Sequence, residues 1–336
     1  MTPLLAAVLI STSAGQLSLG GLVDFYGSYN SSHPALERNF EPGTGVAAAR
    51  ANTFSLNAAT IDVALTSGPV AAHVVLGAGD SFDVVHAAEP EGFRHVYQAS
   101  ASYRPWDATT IEAGIFPPHV GVESFFTKDN WNYSRSWLAE WSPYYEAGVK
   151  VSQTFDEHWS AQLHVLNGWQ QIVDVNEGKT IGTQVAFTTR GFSASFNTLA
   201  GPENATDPGW RLLGDLVLAA SPTSWLSLSA AVDKGHEALP FGRAAEWEGA
   251  ELLARVHSTR FAIVARGESF RDRVGLISGF AQTVSEGTLT LEARPEPVLI
   301  VRLEGRYDRS TAEAFPAHVG LRKDQALVLV GASASF

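Results

Sequence analysis

The residues with the clearest capacity for chemistry are charged side chains that recur at every second position near the end of the chain. Glu292 and Arg294 lie in one such segment, and Arg302, Glu304 and Arg306 lie in the next. Alternate side chains of an extended strand point to the same face, so each segment presents a row of charge. Opposite charges on adjacent strands can pair with each other. Two interpretations stay open: ion pairs that stiffen a wall, or a transverse field that sorts permeating ions by charge.

Charged residues occupy the polar face of several other alternating segments. A basic side chain that faced lipid at the bilayer midplane would cost about 2–4 kcal/mol, so an inward position is expected for such residues. The full set of candidates for lining a polar interior is Glu112, Lys150, Arg211, Asp215, Arg266, Glu292, Arg294, Arg302, Glu304 and Arg306. This set predicts a charged lumen, and we assign no catalytic residue within it.

Other chemistries find little support in the sequence. The 10 histidines lack the spacing of roughly two to four residues that is typical of zinc sites. The acidic segment 80–91 does not follow the spacing of a calcium loop, and we expect it to be solvated. No Gly-x-Ser-x-Gly elbow is present, although a triad assembled across strands would escape such a search. We therefore expect no metal, no cofactor and no enzymatic activity.

The composition narrows the class of protein. Lys plus Arg total 23 against 35 for Asp plus Glu, and the resulting net charge of −12 argues against nucleic acid as a partner. The absence of cysteine excludes disulfides and cysteine-ligated metals. The longest apolar run, residues 3–10, is far shorter than the roughly 20 residues of a spanning helix. A charged fraction of 17% with 45% hydrophobic residues fits a transmembrane β-barrel, in which lipid-facing residues alternate with polar ones.

Apolar and polar residues alternate with a period of two along much of the chain, and short turns alternate with long polar segments. The short turns lie at 67–69, 104–108, 155–158, 190–191, 221–223, 257–260 and 295–297. The long segments lie at 31–52, 80–92, 118–141, 170–178, 202–208, 235–244, 271–278 and 309–322. We therefore predict an all-β fold, a transmembrane antiparallel β-barrel of about 16 strands with short periplasmic turns and long extracellular loops.

Aromatic residues fall at both ends of the predicted strands. Those near the short turns or the C-terminus are Trp106, Phe155, Trp159, Phe192, Trp225, Phe261 and Phe336. Those at the opposite strand ends are Phe93, Trp169, Trp210, Trp247, Phe270, Phe280 and Tyr307. Two aromatic rings are typical of the two membrane interfaces of a barrel. A soluble β-sandwich or propeller would give no reason for both.

The segment 118–141 is the longest of the polar segments and is rich in aromatic residues. Its charged residues Glu123, Lys128, Asp129 and Arg135 are candidates for a constriction. Large aromatic side chains disfavour a loop that extends into solvent, so we expect the segment to fold into the barrel and narrow the pore. An extracellular cap that packs on neighbouring loops is the alternative.

Residues 1–14 have the pattern of a secretory signal peptide, with a short apolar core that is followed by small residues up to Ala14. No Lys or Arg precedes this core, so either the signal is atypical or the start lies upstream. A buried N-terminal strand is the alternative interpretation. We assign residues 15–336 to a single barrel domain.

Several stretches resemble the OmpL-like outer-membrane β-barrel porins of Gram-negative bacteria. The first strand, GLVDFY at 21–26, is similar to a glycine–aspartate–aromatic stretch of that family. The resemblance is strongest over 113–148, with AGIFPPHVGVES and NWNYSRSW. The last three strands of that family look like two further stretches of this chain, EGTLTLEARPEPVLIVRLEGRYDRS and the closing VLVGASASF. The resemblance implies a pore-forming protein and supplies no catalytic residues.

We therefore expect a porin in the outer membrane of a Gram-negative bacterium, through which small hydrophilic solutes diffuse passively. The expected partners are outer-membrane lipid, lipopolysaccharide and those solutes, with no nucleic acid, and homo-oligomer formation stays open. A non-conducting structural or adhesion-type barrel is the alternative. A hydrophobic-solute transporter is disfavoured, because strand pattern begins by Leu17 and leaves no N-terminal plug.

Overall fold

A computed structural model describes residues 8–12, 15–203 and 209–336. Sixteen long strands dominate the described chain, as its alternating apolar segments require. In chain order they are β1 (Gly15–Asn30), β2 (Phe54–Ser67), β3 (Val70–Ala78), β4 (Val96–Trp106), β5 (Thr109–Phe116), β6 (Glu146–Thr154), β7 (Trp159–Leu166), β8 (Thr180–Thr188), β9 (Phe192–Pro202), β10 (Trp210–Ala220), β11 (Leu226–Leu239), β12 (Arg243–His257), β13 (Phe261–Asp272), β14 (Gln282–Glu296), β15 (Leu299–Ser310) and β16 (Asp324–Ser335).

Each strand pairs in antiparallel register with its neighbour in the chain, and β16 pairs with β1 to close the ring. In the closing pair, Leu22 lies opposite Ser335 and Asn30 lies opposite Leu327. Closure gives the backbone groups of the first and last strands the partners that an open sheet edge would lack. The prediction of a 16-stranded antiparallel barrel is thus confirmed. Among the described residues, no helix is long and apolar enough to cross a membrane.

The connections alternate in length. Seven of them lie at one end of the barrel and contain 2 to 5 residues each, and we call this the turn end. The opposite end is the loop end, where one connection, 240–242, is also short. The long polar segment predicted at 235–244 is wrong in one respect. In this segment β11 extends to Leu239 and β12 begins at Arg243, because the polar residues of the two strands pair with each other in antiparallel register. Only the 3-10 turn Pro240–Gly242 joins the two strands.

Side chains alternate between the interior and the outer surface. In β13 every second residue from Ala262 to Asp272 is buried, and the residues between them are exposed. Exposed positions elsewhere carry large apolar side chains such as Leu252, Ile263 and Leu289. An apolar outer face and a polar inner face are the pattern of a barrel that sits in lipid.

The aromatic residues follow the prediction fully at the turn end and in part at the loop end, where Phe93, Trp210 and Tyr307 are exposed. All seven residues predicted at the turn end are at least 40% exposed, Phe192 being the least so. At the loop end, Trp247 and Phe270 are instead buried inside the barrel, and Trp169 packs against the same interior cluster. These three residues occupy inward positions or loops that fold inward, so their place near the strand end does not put them in the lipid interface.

Short helices lie in the loop-end connections. They are α1 (Asp80–Val85), α2 (Trp137–Glu140) and the 3-10 turns Glu91–Phe93 and Thr127–Asp129, and a two-residue hairpin pairs Phe315–Pro316 with Leu321–Arg322. The prediction that segment 80–91 is solvated is wrong for two of its acids. Asp80 accepts a hydrogen bond from Arg50 at 2.8 Å, and Glu89 accepts one from Tyr145 at 2.6 Å; both carboxylates are buried. Their partners come from other parts of the chain, which local spacing does not show.

A further strand, Val8–Thr12, pairs with residues 15–19 of β1. It lies within the predicted signal peptide, whose other residues, 1–7 and 13–14, are outside the described part of the chain. Barrel closure does not depend on it, since β16 covers β1 from Leu22 onward and Phe336 exchanges two backbone hydrogen bonds with Gly21.

Candidate functional site

The charged residues selected from the sequence occupy inward-facing strand positions. Six of the ten are buried: Asp215, Arg266, Glu292, Arg302, Glu304 and Arg306. The remaining four, Glu112, Lys150, Arg211 and Arg294, are partly exposed to the interior space. Lys150 lies 2.9 Å from Glu112, and Arg211 lies 2.5 Å from Glu237.

One carboxylate organises the basic groups near the turn end. Glu292 on β14 lies directly opposite Arg302 on β15, and their charged atoms are 2.7 Å apart, so the predicted cross-strand pair forms. Arg255 from β12 approaches the same carboxylate at 2.7 Å, and Arg294 approaches it at 2.9 Å. Three guanidinium groups therefore share one negative charge, and this part of the lumen carries excess positive charge.

The spacing of Glu304 indicates an ion pair with a neighbouring strand, but its carboxylate binds the backbone of a loop instead. Its carboxylate accepts backbone hydrogen bonds from Tyr133 at 2.7 Å and Ser134 at 3.0 Å, and a side-chain hydrogen bond from Thr290 at 2.7 Å. Tyr133 and Ser134 belong to the connection between β5 and β6, residues 117–145, which we call the crossing loop.

The crossing loop reaches the wall opposite its own attachment. β5 and β13 are eight strands apart in a ring of 16, so they lie on opposite sides of the barrel. Trp137 donates its backbone N–H to Glu268 of β13 at 2.7 Å. Arg302 of β15 donates to the carbonyl oxygen of Thr127 at 2.7 Å. The loop therefore spans the lumen from wall to wall.

Asp24 of β1 anchors the tip of the crossing loop from a third side. It accepts hydrogen bonds from Thr127 at 2.7 Å and Tyr133 at 3.1 Å. The ring of Tyr133 lies against Gly331 of β16, where an added Cβ would stand 2.2 Å from a ring atom. Glycine is required at that position because the loop approaches the backbone of the wall this closely.

Two of the four charged loop candidates contact the buried interior, and two do not. Glu123 lies 2.8 Å from Arg266, with both side chains buried. Arg135 is buried and donates to the carbonyl of Phe125. Lys128 and Asp129 pair with each other at 2.8 Å and border the turn-end interior space.

Aromatic residues fill the loop end of the barrel around the crossing loop. Trp137 stacks on Trp141 with ring centroids 4.9 Å apart, and Trp141 packs on Phe270 at 4.4 Å. Phe40 from the β1–β2 connection meets Trp137 edge to face at 6.1 Å. Such contacts exclude water and hold the crossing loop at a fixed depth.

The β1–β2 connection, residues 31–53, also folds inward, which the sequence did not predict. Gly45 and Val46 donate backbone hydrogen bonds to Glu140 of α2 at 2.9 and 3.1 Å. The signal for this was the small-residue stretch at 45–49 within an otherwise polar segment, whose alanines are buried. In the same connection, burial raises the pKa of Glu41 to about 8.

Space remains on both sides of the crossing loop. Toward the loop end, a cavity of about 490 Å³ is bordered by Glu140, Trp169 and Arg211. Toward the turn end, a cavity of about 290 Å³ is bordered by polar residues that include His73 and Lys128. The crossing loop thus separates two interior spaces.

One arrangement at the base of the crossing loop was missed by spacing arguments. His119, Glu146 and His164 bring their ligand atoms within 4.8 Å of one another, and all three residues are buried. The two histidines are far apart in the sequence, and the pairing of β6 with β7 carries His164 to the loop. No local motif could have indicated it.

Comparison with known proteins shows how widely this architecture occurs. No curated protein matches the chain in sequence. Among solved structures, the anion-selective porin from Comamonas acidovorans superposes with a TM-score of 0.67 at 11% identity, covering 95% of this chain and 99% of that one. Outer-membrane OmpT of Vibrio cholerae gives 0.65 at 9% identity, covering 98% and 100%. OmpF of Salmonella typhi, solved with daunomycin, gives 0.66 at 11% identity, covering 98% and 100%.

The sequence profile of one family matches residues 16–336, which is nearly the whole chain. That family is described as beta-barrel porin-2, OmpL-like. With the closed 16-stranded barrel and its charged interior, the chain belongs to the OmpL-like beta-barrel porin-2 family and is a channel protein of the Gram-negative outer membrane.

Proposed function

We propose that the protein lets small hydrophilic solutes diffuse passively through a lumen that the crossing loop narrows. The observation that carries this proposal is the attachment of the loop to the opposite wall. Glu304 accepts hydrogen bonds from two of its backbone N–H groups, and Arg302 donates to two of its carbonyl oxygens, those of Thr127 and Asn130. Backbone contacts of this kind fix the loop whatever its side chains, so the narrowing is a permanent feature of the folded channel.

The polar groups left partly exposed in the interior suit water and small solutes. Glu112, Lys150 and Arg294 are partly exposed at inward-facing strand positions. Their charges attract or repel permeating ions and require no bond to be made or broken. We therefore propose a purely diffusive channel without enzymatic activity.

Selectivity in this proposal arises from the shared carboxylate near the turn end. Arg255, Arg294 and Arg302 surround Glu292, which leaves excess positive charge on that side of the lumen. Rings of basic groups favour anions. This local charge, rather than the net charge of −12 of the whole chain, sets the preference in our account.

The outer surface supports two further proposals. Its exposed apolar side chains suit outer-membrane lipid and the acyl chains of lipopolysaccharide. Gly287 and Gly305 face outward on adjacent strands, and an added Cβ would meet nothing within 4 Å at either position. Since the barrel itself does not require glycine there, we propose that a second copy of the chain approaches this face closely. OmpT of Vibrio cholerae has been solved in a trimer form.

We also propose that residues 1–14 are removed on export, which would leave Gly15 as the first residue of β1. The strand Val8–Thr12 would be lost, and the ring of sixteen strands would keep all its pairs. The intact mass of protein purified from outer membranes tests this, because retention of residues 8–12 would contradict cleavage after Ala14.

Swelling of liposomes that contain the refolded protein tests the channel proposal. We expect swelling in small sugars at a rate that falls steeply as the sugar becomes larger, because the solute must pass the crossing loop. Protein that is folded, as judged by its heat-modifiable electrophoretic mobility, and that gives no swelling in any sugar would contradict the proposal. That result would favour the structural or adhesion-type barrel.

A further inference from the structure

The base of the crossing loop holds a compact group of imidazole and carboxylate side chains. His119 is near the first residue of the loop, and Glu146 is the first residue of β6, directly after it. Nδ1 of His119 lies 2.6 Å from Oε1 of Glu146. Nδ1 of His164 on β7 lies 3.0 Å from Oε2 of the same carboxylate. All three side chains are 1% exposed or less.

The outer nitrogens of both rings already have partners. Nε2 of His119 lies 3.0 Å from the carbonyl oxygen of Thr198, which can only accept, so this nitrogen carries the ring proton. Nε2 of His164 lies 3.0 Å from Oε1 of Gln162. In metal sites, the nitrogen that does not bind the metal is held by a carbonyl or carboxylate in this way.

The inner nitrogens are left facing negative charge. With its proton on Nε2, a neutral His119 presents the Nδ1 lone pair to a carboxylate oxygen that also only accepts. Within the residues that the structure describes, Nδ1 of His164 and Oε2 of Glu146 are buried without a hydrogen bond of acceptable geometry. Lone pairs that converge in a dry interior are unfavourable unless a cation lies among them.

We propose that His119, Glu146 and His164 bind a divalent transition-metal ion of the Zn²⁺ class. Two imidazole nitrogens and one carboxylate oxygen form a donor set that Zn²⁺ accepts, with a fourth position for water. Bonds of about 2.1 Å in tetrahedral geometry place neighbouring donor atoms about 3.4 Å apart. His119 lies 2.6 Å from Oε1 and His164 lies 3.0 Å from Oε2, and the ligand atoms all lie within 4.8 Å of one another, so shifts on the order of 1 Å would bring them to this spacing.

A second proton instead of a metal is the competing occupant. An imidazolium at His119 would satisfy Oε1 of Glu146, but Nδ1 of His164 and Oε2 of Glu146, which are 3.0 Å apart, would still lack a hydrogen bond of acceptable geometry. Protonating both rings would place two cations with ring centroids 4.0 Å apart. One divalent ion satisfies all three inner atoms at once, and so it accounts for the orphaned pair better than protons do.

A metal here would fasten both ends of the crossing loop to the wall. His119 lies near the first residue of the loop, Glu146 follows its last residue, and His164 lies on the next strand. Gly182 of β8 gives the His119 ring its space, since an added Cβ would stand 2.5 Å from that ring. The site would supply stability at the base of the loop, and diffusion through the channel does not require it.

Calorimetric titration with ZnCl₂ tests the proposal on the full-length protein. The protein is refolded into detergent in two ways, once without metal and once with Zn²⁺ present, and each preparation is titrated. We expect one Zn²⁺ per folded chain. His164→Asn and Glu146→Gln should each weaken binding by about tenfold or more, because each removes one ligand. The matched control is His73→Asn, since His73 also pairs with a carboxylate, that of Asp62 at 2.8 Å, but has no second histidine in the pair. The control should bind Zn²⁺ like the wild type.

Absence of stoichiometric Zn²⁺ from the folded wild type after both refolding procedures would overturn the proposal. So would equal affinity of the wild type and the ligand variants. If the variants do not fold, Co²⁺ bound by the wild type decides: the visible absorption of a four-coordinate site with nitrogen ligands supports the proposal, and six-coordinate absorption or none overturns it. Liposome swelling without metal is independent of these results, so failure of the zinc site leaves the channel proposal testable.

Discussion

The guanidinium of Arg266 on β13 lies 2.8 Å from the carboxylate of Glu123 in the crossing loop, and both side chains are buried. The same guanidinium binds Glu286 on β14 at 2.9 Å and the carbonyl oxygen of Ser134 at 2.8 Å. One wall residue therefore contacts the loop at two points that are 11 residues apart in sequence. Because Nε of Arg266 donates to Glu286 on the wall while Nη1 donates both to Glu123 and to the carbonyl oxygen of Ser134, the loop has a defined position relative to the wall.

Glu123→Gln should destabilise the barrel by about 1–3 kcal/mol, because a buried charged hydrogen bond is weakened while Arg266 keeps its other partners. The open channel should also show more current noise, since the loop is held less firmly. Asp129→Asn is the matched control: it removes the same charge from the same loop at a more exposed pair, for which about 1 kcal/mol or less is expected. For each variant we measure the temperature at which half of the protein loses its heat-modifiable electrophoretic mobility. Equal shifts of this temperature in the Glu123 and Asp129 variants would contradict the assigned role of Glu123.

Arg294→Glu should shift ion selectivity toward cations. The side chain of Arg294 is 35% exposed beside Glu292, so reversal of its charge changes the potential of the turn-end lumen directly. We expect the anion-to-cation permeability ratio to fall by about twofold or more. Arg190→Glu, in the turn between β8 and β9, reverses a charge at the same end but outside the strands. Reversal potentials in a salt gradient measure the selectivity of both variants. An equal shift in the Arg190 control would argue against a position of Arg294 in the lumen.

Glu41→Gln should flatten part of the pH dependence of stability. Burial raises the pKa of Glu41 to about 8, above its ordinary value of 4.5, so the folded protein binds this proton more tightly than the unfolded chain. That contribution is fully present below pH about 4.5 and is lost as the pH rises through about 8. The glutamine keeps an acceptor for Gln282, which now donates at 2.9 Å. We expect variant and wild type to unfold at similar temperatures near pH 4, and the variant to be more stable near pH 9. The opposite ranking at alkaline pH would show that Glu41 is held as a stabilised anion.

Gly287→Trp should abolish self-association without unfolding the barrel. The position faces outward with open space around it, so the indole fits in lipid but obstructs a second copy. Leu163→Trp on the outer face of β7 serves as the control, because Leu163 is already a large exposed side chain. Light scattering in detergent reports the mass of each. A wild type that is monomeric, or a Gly287 variant that remains oligomeric, would be inconsistent with an interface at this face.

The fold could be predicted from the sequence because alternation and turn spacing are local properties. Residues such as Arg302 and Glu304 have inward positions that follow from a period of two alone. The pairing of Glu292 with Arg302 also followed, since neighbouring strands of a meander are adjacent in sequence. These predictions needed only the backbone geometry of single strands and hairpins.

Contacts made across the lumen could not be predicted in this way. Glu304 binds backbone groups of Tyr133, a residue 171 positions away, and an extended-strand pattern carries no information about that distance. Trp247 and Phe270 lie near strand ends, and only the inward-folded loops explain why they are buried there. Likewise His119 and His164 meet because β5, β6 and β7 are adjacent, not because their spacing resembles a metal motif.

The crossing loop, in our proposal, sets the width of the channel. Single-channel conductance in planar bilayers tests this proposal most directly, by comparison of the wild type with a variant that lacks residues 120–130. We expect small ohmic steps for the wild type and a clearly larger conductance for the folded deletion variant, because the deletion removes Thr127, whose carbonyl oxygen binds Arg302 and whose hydroxyl donates to Asp24. An unchanged single-channel conductance in the deletion variant would contradict the proposal.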